Sequence, residues 1–163
     1  MALLTIGIGE CRVSSNPSDV LVTHALGSCV AVVIHDPIAK VAGMLHYLLP
    51  ESALDEEKAA KRPFLFADTG IPLLLRMAGE AGGMKSRMTV TVIGGAQMLD
   101  PHGTFSIGTR NQSASRKNLR KWGLQIHREE MGGTHSRTVR IGVLDGRVRI
   151  RTAGSTEHSA KDV

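Results

Sequence analysis

Short apolar runs, separated by glycines and polar clusters, set the rhythm of this chain. Residues 20–34 and 41–49 are rich in Val, Leu and Ile and flank "HDPIAK", where Asp36-Pro37 marks a turn, so the two runs predict a β-hairpin. "ESALDEEKAAKRPF" (51–64) is charged and poor in large apolar groups, which predicts an exposed loop or a short surface helix. In "ADTGIPLLLRMAGEAGG" (67–83), Asp68 or Thr69 suits an N-cap, Pro72 falls early and Gly82-Gly83 stops the pattern, as a helix requires. "SRMTVTVIGG" (86–95) alternates Met88, Val90 and Val92 with polar positions and predicts a strand. "RNQSASRKNLRKWG" (110–123) reads as a second helix, with Asn111 as candidate cap, basic residues late and Gly123 past the end. "LQIHREE", "RTVRIGV" and "GRVRIRT" supply strands, the last two joined around Asp145-Gly146, a hairpin signal. The polar tail, residues 152–163, is expected to fray.

The resulting order, βββαβαβββ without a strict βαβ rhythm, predicts an α+β layered fold with mixed sheets. At 163 residues the chain fits one domain, 1–163. The N-terminal "MALLTIGIGE" lacks a basic leader region, and no run approaches a membrane span, so the expectation is a cytoplasmic protein with no direct membrane insertion. Net charge is +5, and it is uneven: residues 110–151 hold eleven Lys/Arg against three Asp/Glu, which suits an acidic partner or a solvated basic face. Nucleic acid is disfavoured because only Phe105 and Trp122 could stack on bases in this half. Few aromatics also leave no reason to expect more than a monomer.

Candidate chemistry centres on "THALGSCVAVVIHDP" (23–37). If the hairpin turn is centred within 36–39, Cys29 faces His46 of "GMLHYLLP" directly; a four-residue loop, 37–40, makes them diagonal neighbours on one face; an odd loop separates them. A thiol beside an imidazole can ionise to a thiolate–imidazolium pair, and Cys–His is the minimum for acyl transfer. Gly27 permits a tight turn in which the amides of Ser28 and Cys29 could face an oxyanion. Thr23 is a candidate to hold the other imidazole nitrogen. Alternatives stand beside each of these. Cys29 suits a core position, Thr23 an ordinary strand position, and Cys11 a packed thiol. A zinc site from Cys29, His24, His35 and His46 lacks the usual ligand spacing, and His24 and His35 read more simply as surface or turn residues.

The same blocks resemble the CheD family, the chemoreceptor glutamine deamidases of bacterial and archaeal chemotaxis. "THALGSCVAVVIHDP" and "GMLHYLLP" carry the likeness, and "IGIGE", "FADTGIPLLL", "VIGGAQML", "SIGTRN" and "MGGTHSRTVRIGVLDGRVRIR" extend it in order over most of residues 5–152. The resemblance implies Cys29 as nucleophile, His46 as general base and Thr23 as third catalytic member, with no metal or organic cofactor. It implies a layered sandwich of mixed sheets with flanking helices, similar to the catalytic domain of the cytotoxic necrotizing factor toxins. The implied reaction converts glutamines on receptor helices to glutamates, and the implied second partner is a CheC-type phosphatase. A substrate role for Thr134, His135 or Arg137 is not implied, since "GGTHSR" varies between members. The same machinery could cleave a glutamyl methyl ester. The alternative from another class is a regulatory module that docks a phosphatase or receptor, with slow or vestigial catalysis.

Overall fold

The structure, a computed structural model, describes residues 2–98 and 106–163; Phe105 lies outside the described residues. In chain order the elements are β1 (Leu3–Thr5), β2 (Glu10–Ser14), β3 (Val20–Leu26), β4 (Val30–Asp36), β5 (Val41–Tyr47), α1 (Glu56–Lys61), α2 (Ala67–Glu80), β6 (Thr89–Gly94), α3 (Ile107–Lys121), β7 (Arg128–Met131), β8 (Arg137–Gly142), β9 (Val148–Thr152) and β10 (Lys161–Asp162). They build two mixed sheets, β1-β3-β8-β9 and β10-β7-β6-β4-β5-β2. The fold is α+β.

Strand β4 shows why the layers form. All seven of its residues are buried. Val30, Val32 and Ile34 pack with Ile71 and Leu74 of α2 and Leu119 of α3, whereas Ala31 and Val33 pack with Leu21 of β3 and Val139 and Ile141 of β8. A strand covered on both faces reads as a continuous apolar run, because neither side is left to water. The larger sheet is therefore the middle layer, between the helices and the smaller sheet.

The run 20–34 is not one hairpin arm. It breaks at Gly27–Cys29, where the chain passes from the smaller sheet (β3) to the larger (β4). The crossing is prepared by a bulge: Thr23 pairs with Val139 and Leu26 with Arg137, so two residues of β3, His24 and Ala25, oppose one of β8. Ala25 has φ +52°. Strict alternation would turn Thr23 and Leu26 to opposite faces; the extra residue lets both be buried while His24 and Ala25 face solvent.

Other expectations are corrected. Neither Asp68 nor Thr69 caps α2, which starts at Ala67 with no side-chain cap. The Asp68 carboxylate instead accepts from the Ser52 amide and hydroxyl, and Thr69 donates to the Pro63 carbonyl. Asn111 is no cap either, since α3 starts four residues earlier at Ile107. His35 is neither surface nor turn: it is 4% exposed, and its Nε2 lies 2.8 Å from the Val143 carbonyl. The tail is held at two places, where His158 exchanges backbone hydrogen bonds with Ile150 and where β10 pairs with β7. Of the two expectations for residues 51–64, the short helix is realised in α1, which Asp55 caps through the Lys58 amide.

The loop 37–40 has four residues, and the β4–β5 register follows from it, with Ala31 opposite His46. Asp36 fixes this turn. Its Oδ1 accepts from the amides of Ile38 and Ala39, and both oxygens face the Arg87 guanidinium, with the Met84 amide also donating. Burial alone would raise this carboxyl, but Arg87 and the three amides outweigh it and hold it well below the usual carboxylate range. Its stabilisation is thus present above the unfolded-state value of about 4 and is lost as pH falls towards the depressed folded value. Asp36→Asn is expected to cost about 2–3 kcal/mol in chemical denaturation at pH 7. The difference from wild type should narrow as pH drops below about 4.

Candidate active site

His46 is the polar exception on the inter-sheet face of β5. Ala42 and Met44 of that face belong to the core between the sheets, and His46 alternates with them. Cys29 belongs to the same core and precedes β4 by one residue. Because Ala31 faces His46, Cys29 two positions away is the diagonal neighbour on the same face. This is the four-residue-loop register, not the directly opposed one. Thr23 arrives from the other sheet, fully buried.

Thr23 and His46 meet in the seam between the sheets, and Cys29 sits on the same face as His46. Thr23 Oγ1 donates to the Ile6 carbonyl at 2.6 Å and lies 2.8 Å from His46 Nδ1. A carbonyl can only accept, so the single hydroxyl proton goes to Ile6 and Nδ1 must carry the proton it shares with Oγ1. That fixes the tautomer and leaves the lone pair on Nε2. Nε2 is buried and has no hydrogen-bond partner among the described residues. No hydrogen bond joins it to the Cys29 thiol; the resting imidazole presents an open acceptor on the face that carries the sulfur.

Electrostatics favour neutral partners at rest. Burial pushes the Cys29 thiol up to about 11, with the residue's own amide pulling weakly the other way. Burial pushes His46 down to about 4, against the opposing charge of Glu10. The preformed thiolate–imidazolium pair expected from two adjacent side chains is therefore disfavoured, because desolvation penalises both charged forms.

The turn before Cys29 is held by its carbonyls. Gly27 O accepts from the Ala96 amide at 3.0 Å, Cys29 O from the Gly95 amide at 2.8 Å, and Ser28 O from Asn111 Nδ2 at 2.9 Å. Gly94, at φ +117°, makes the close approach possible: a Cβ there would stand 2.3 Å from Cys29 O. Gly27 has no positive φ; its constraint is space, since a Cβ would meet Met98 at 3.0 Å. His24 is exposed on the bulge and the buried His35 is bonded to the Val143 carbonyl, so neither joins His46 and Cys29 as a ligand set. Cys11 is half-buried in β2, and burial pushes its thiol up to about 12. Thr134 and His135 are exposed, whereas Arg137 is buried and pairs with Glu130 at 2.8 Å.

The family model described as CheD chemotactic sensory transduction matches residues 48–152. The chain belongs to the CheD family. That match begins beyond His46, and longer alignments extend it across the seam. The probable chemoreceptor glutamine deamidase CheD of Solibacter usitatus is 44% identical over 154 residues, covering 94% of this chain and 91% of that protein. The probable chemoreceptor glutamine deamidase CheD 1 of Syntrophus aciditrophicus is 46% identical, with 94% and 96% covered. The chemoreceptor glutamine deamidase CheD of Thermotoga maritima is 38% identical, with 93% of each chain covered.

The sequence pointed to Thr23, Gly27, Ser28, Cys29 and His46; the structure bonds Thr23 to His46 and places Cys29, at the end of the Gly27-Ser28 turn, on the same face as His46. It did not point to the Ile6 carbonyl or to the Asn111 amide. Asn111 had a usable signal: with Gly108, Ala114, Ser115, Asn118 and Leu119 it lies on the buried stripe of α3 at helical spacing.

Thr23→Val keeps the β-branched shape and removes the hydroxyl. In nitrogen-15 spectra the wild-type His46 is expected as the single tautomer protonated on Nδ1, and the variant as a mixture. His46 should stay neutral down to a pH of about 4. Between about 6.5 and that value the unfolded chain takes up a proton that the folded one refuses, so this residue lowers folding stability as pH falls.

Proposed function

We propose that this chain hydrolyses the side-chain amide of chemoreceptor glutamines, with Cys29 as nucleophile, His46 as base and then acid, and Thr23 as the group that orients the imidazole. The relatives named chemoreceptor glutamine deamidases support the substrate. The observation that carries the mechanism is the buried relay from Ile6 O through Thr23 Oγ1 to His46 Nδ1, which leaves Nε2 as the open base on the thiol's face.

With both groups neutral at rest, sulfur attack and proton transfer are coupled. Sγ bonds to the glutamine amide carbon as its proton passes to Nε2, giving a tetrahedral oxyanion and an imidazolium. Collapse breaks the C–N bond, and Nε2–H protonates the departing ammonia. A water that gives its proton to Nε2 then attacks the thioester, and cleavage of the C–S bond yields glutamate and regenerates the thiol. Apart from the substrate and a water, every group used belongs to the chain itself, so the proposal invokes no metal or cofactor.

Backbone geometry supports the oxyanion role of Gly27, Ser28 and Cys29. All described peptide bonds are trans, and in a planar trans unit each N–H points opposite to the preceding C=O. Pinning Gly27 O to Ala96 and Ser28 O to Asn111 therefore turns the Ser28 and Cys29 amides away from β6 and α3. One well-placed donor of this kind is worth about 10²–10³ in rate.

The sequence resemblance supports kinship of the sandwich with the cytotoxic necrotizing factor catalytic domain and docking of a CheC-type phosphatase; the chemotaxis relatives support a cytoplasmic protein, and the low aromatic content a monomer. Catalysis ranks above the docking module because the relay aims a buried, unpartnered acceptor, which binding alone does not need.

The test is mass spectrometry of a receptor signalling fragment incubated with wild type, Cys29→Ala and His46→Ala. Wild type is expected to convert particular glutamines to glutamates and both variants to lose about 10³-fold or more. Equal conversion by Cys29→Ala would refute the thiol mechanism. The acid limb of kcat/KM should have its midpoint near the His46 value of about 4 rather than at an ordinary histidine pKa, since the neutral base is the active form.

A further inference from the structure

Asn111 is fully buried in the N-terminal half of α3, within a helix whose other face is basic. Its amide nitrogen donates to two carbonyls, Ser28 O and Leu48 O, each at 2.9 Å. Both acceptors are carbonyls, so the orientation of the amide is settled and both Nδ2 hydrogens are committed. Oδ1 is left buried and without a partner among the described residues. An orphaned buried oxygen destabilises the fold, and this one is tolerated where its amide joins two particular segments. Ser28 is the residue before the thiol; Leu48 is two residues beyond His46.

We propose that Asn111 is a positioning residue: one side-chain amide clamps the nucleophile turn and the histidine strand at a fixed separation, so that Cys29 and His46 Nε2 meet correctly when substrate binds. The claim rests on the deamidase reading for its kinetic part only. Three further contacts agree with it. The Tyr47 hydroxyl, next to His46, donates to the Asn111 carbonyl at 2.5 Å and anchors the turn of α3 that carries the amide. Gly108, one turn earlier, lets α3 lie directly on the 95–96 backbone, where a Cβ would stand 2.4 Å from Ala96 O. Those same residues, Gly95 and Ala96, hold Cys29 O and Gly27 O. Helix α3 thus reaches all three carbonyls of the turn, one through a side chain and two through the backbone it rests on. No substrate contact is assigned to Asn111; its action is through Ser28 and Leu48.

The experiment compares wild type, Asn111→Ala, His46→Ala and the double variant at a temperature where circular dichroism shows each fully folded. Two quantities are read: steady-state deamidation of a receptor fragment, and the rate of Cys29 alkylation by iodoacetamide at pH 7.5, with Cys11→Ser as common background. Asn111→Ala is expected to lower kcat by about 10²-fold with KM within about twofold, as misplacement of reacting groups does. Alkylation should slow by about tenfold through lost base assistance, and the double variant should be no more than about twofold slower than the slower single variant, because both changes remove one interaction. A wild-type kcat in folded Asn111→Ala, or alkylation losses that multiply in the double variant, would overturn the proposal. If Asn111→Ala does not fold, Tyr47→Phe decides: a several-fold fall in kcat at constant KM upholds the clamp, and an unchanged kcat refutes it. Wild type that converts no glutamine would sink the deamidase reading, whereas the alkylation cycle needs no substrate and still decides the role of Asn111.

Discussion

One buried hydroxyl sets the protonation geometry of the candidate site. Thr23 Oγ1 has a single proton, and the Ile6 carbonyl takes it, so the hydroxyl can only accept from His46 and the imidazole has one tautomer open to it. The partners come from different sheets: Thr23 from β3 of the smaller one and His46 from β5 of the larger. The site is therefore a product of the stacking of the two layers, and neither sheet contains it alone. The bulge at His24-Ala25 belongs to the same constraint, because without the extra residue Thr23 and Leu26 could not both face the seam.

Burial works against charge in this seam and for geometry. Desolvation keeps the thiol and the imidazole neutral, which makes the resting thiol a poor nucleophile towards stray electrophiles and, in the proposed reaction, ties proton transfer to the moment of attack. The turn that carries Cys29 lacks regular strand pairing, yet each of its three carbonyls has a partner from β6's end or α3. Rigid support of this kind converts a loop into a positioned site, since small misplacements of reacting groups cost large factors in rate.

Much of this was legible in the sequence, for physical reasons that differ by element. The β4–β5 hairpin could be read because Asp36-Pro37 and the apolar runs limit the register to a few choices, and any even loop leaves Cys29 and His46 on one face. The break inside residues 20–34 was hidden: a strand buried on both faces and a crossing between two sheets produce the same unbroken apolar string. Asn111 was misread as a cap because Asn at a helix start and Asn on a buried helix face look alike locally; only the packing of α3 on the 95–96 backbone tells them apart. His35 and the end of the tail were missed for a similar reason, as the Val143 carbonyl and strand β7 that hold them are distant in sequence. The thiolate pair expected from adjacency gave way to desolvation, which adjacency does not reveal.

The most direct test of the account is an acid-quenched single turnover, with intact mass measured on the protein after brief mixing with a receptor fragment. The account predicts a transient adduct, a thioester mapped to Cys29, that forms and decays at rates matching glutamate appearance. Deamidation that proceeds at the full rate with no covalent species at Cys29 would contradict it.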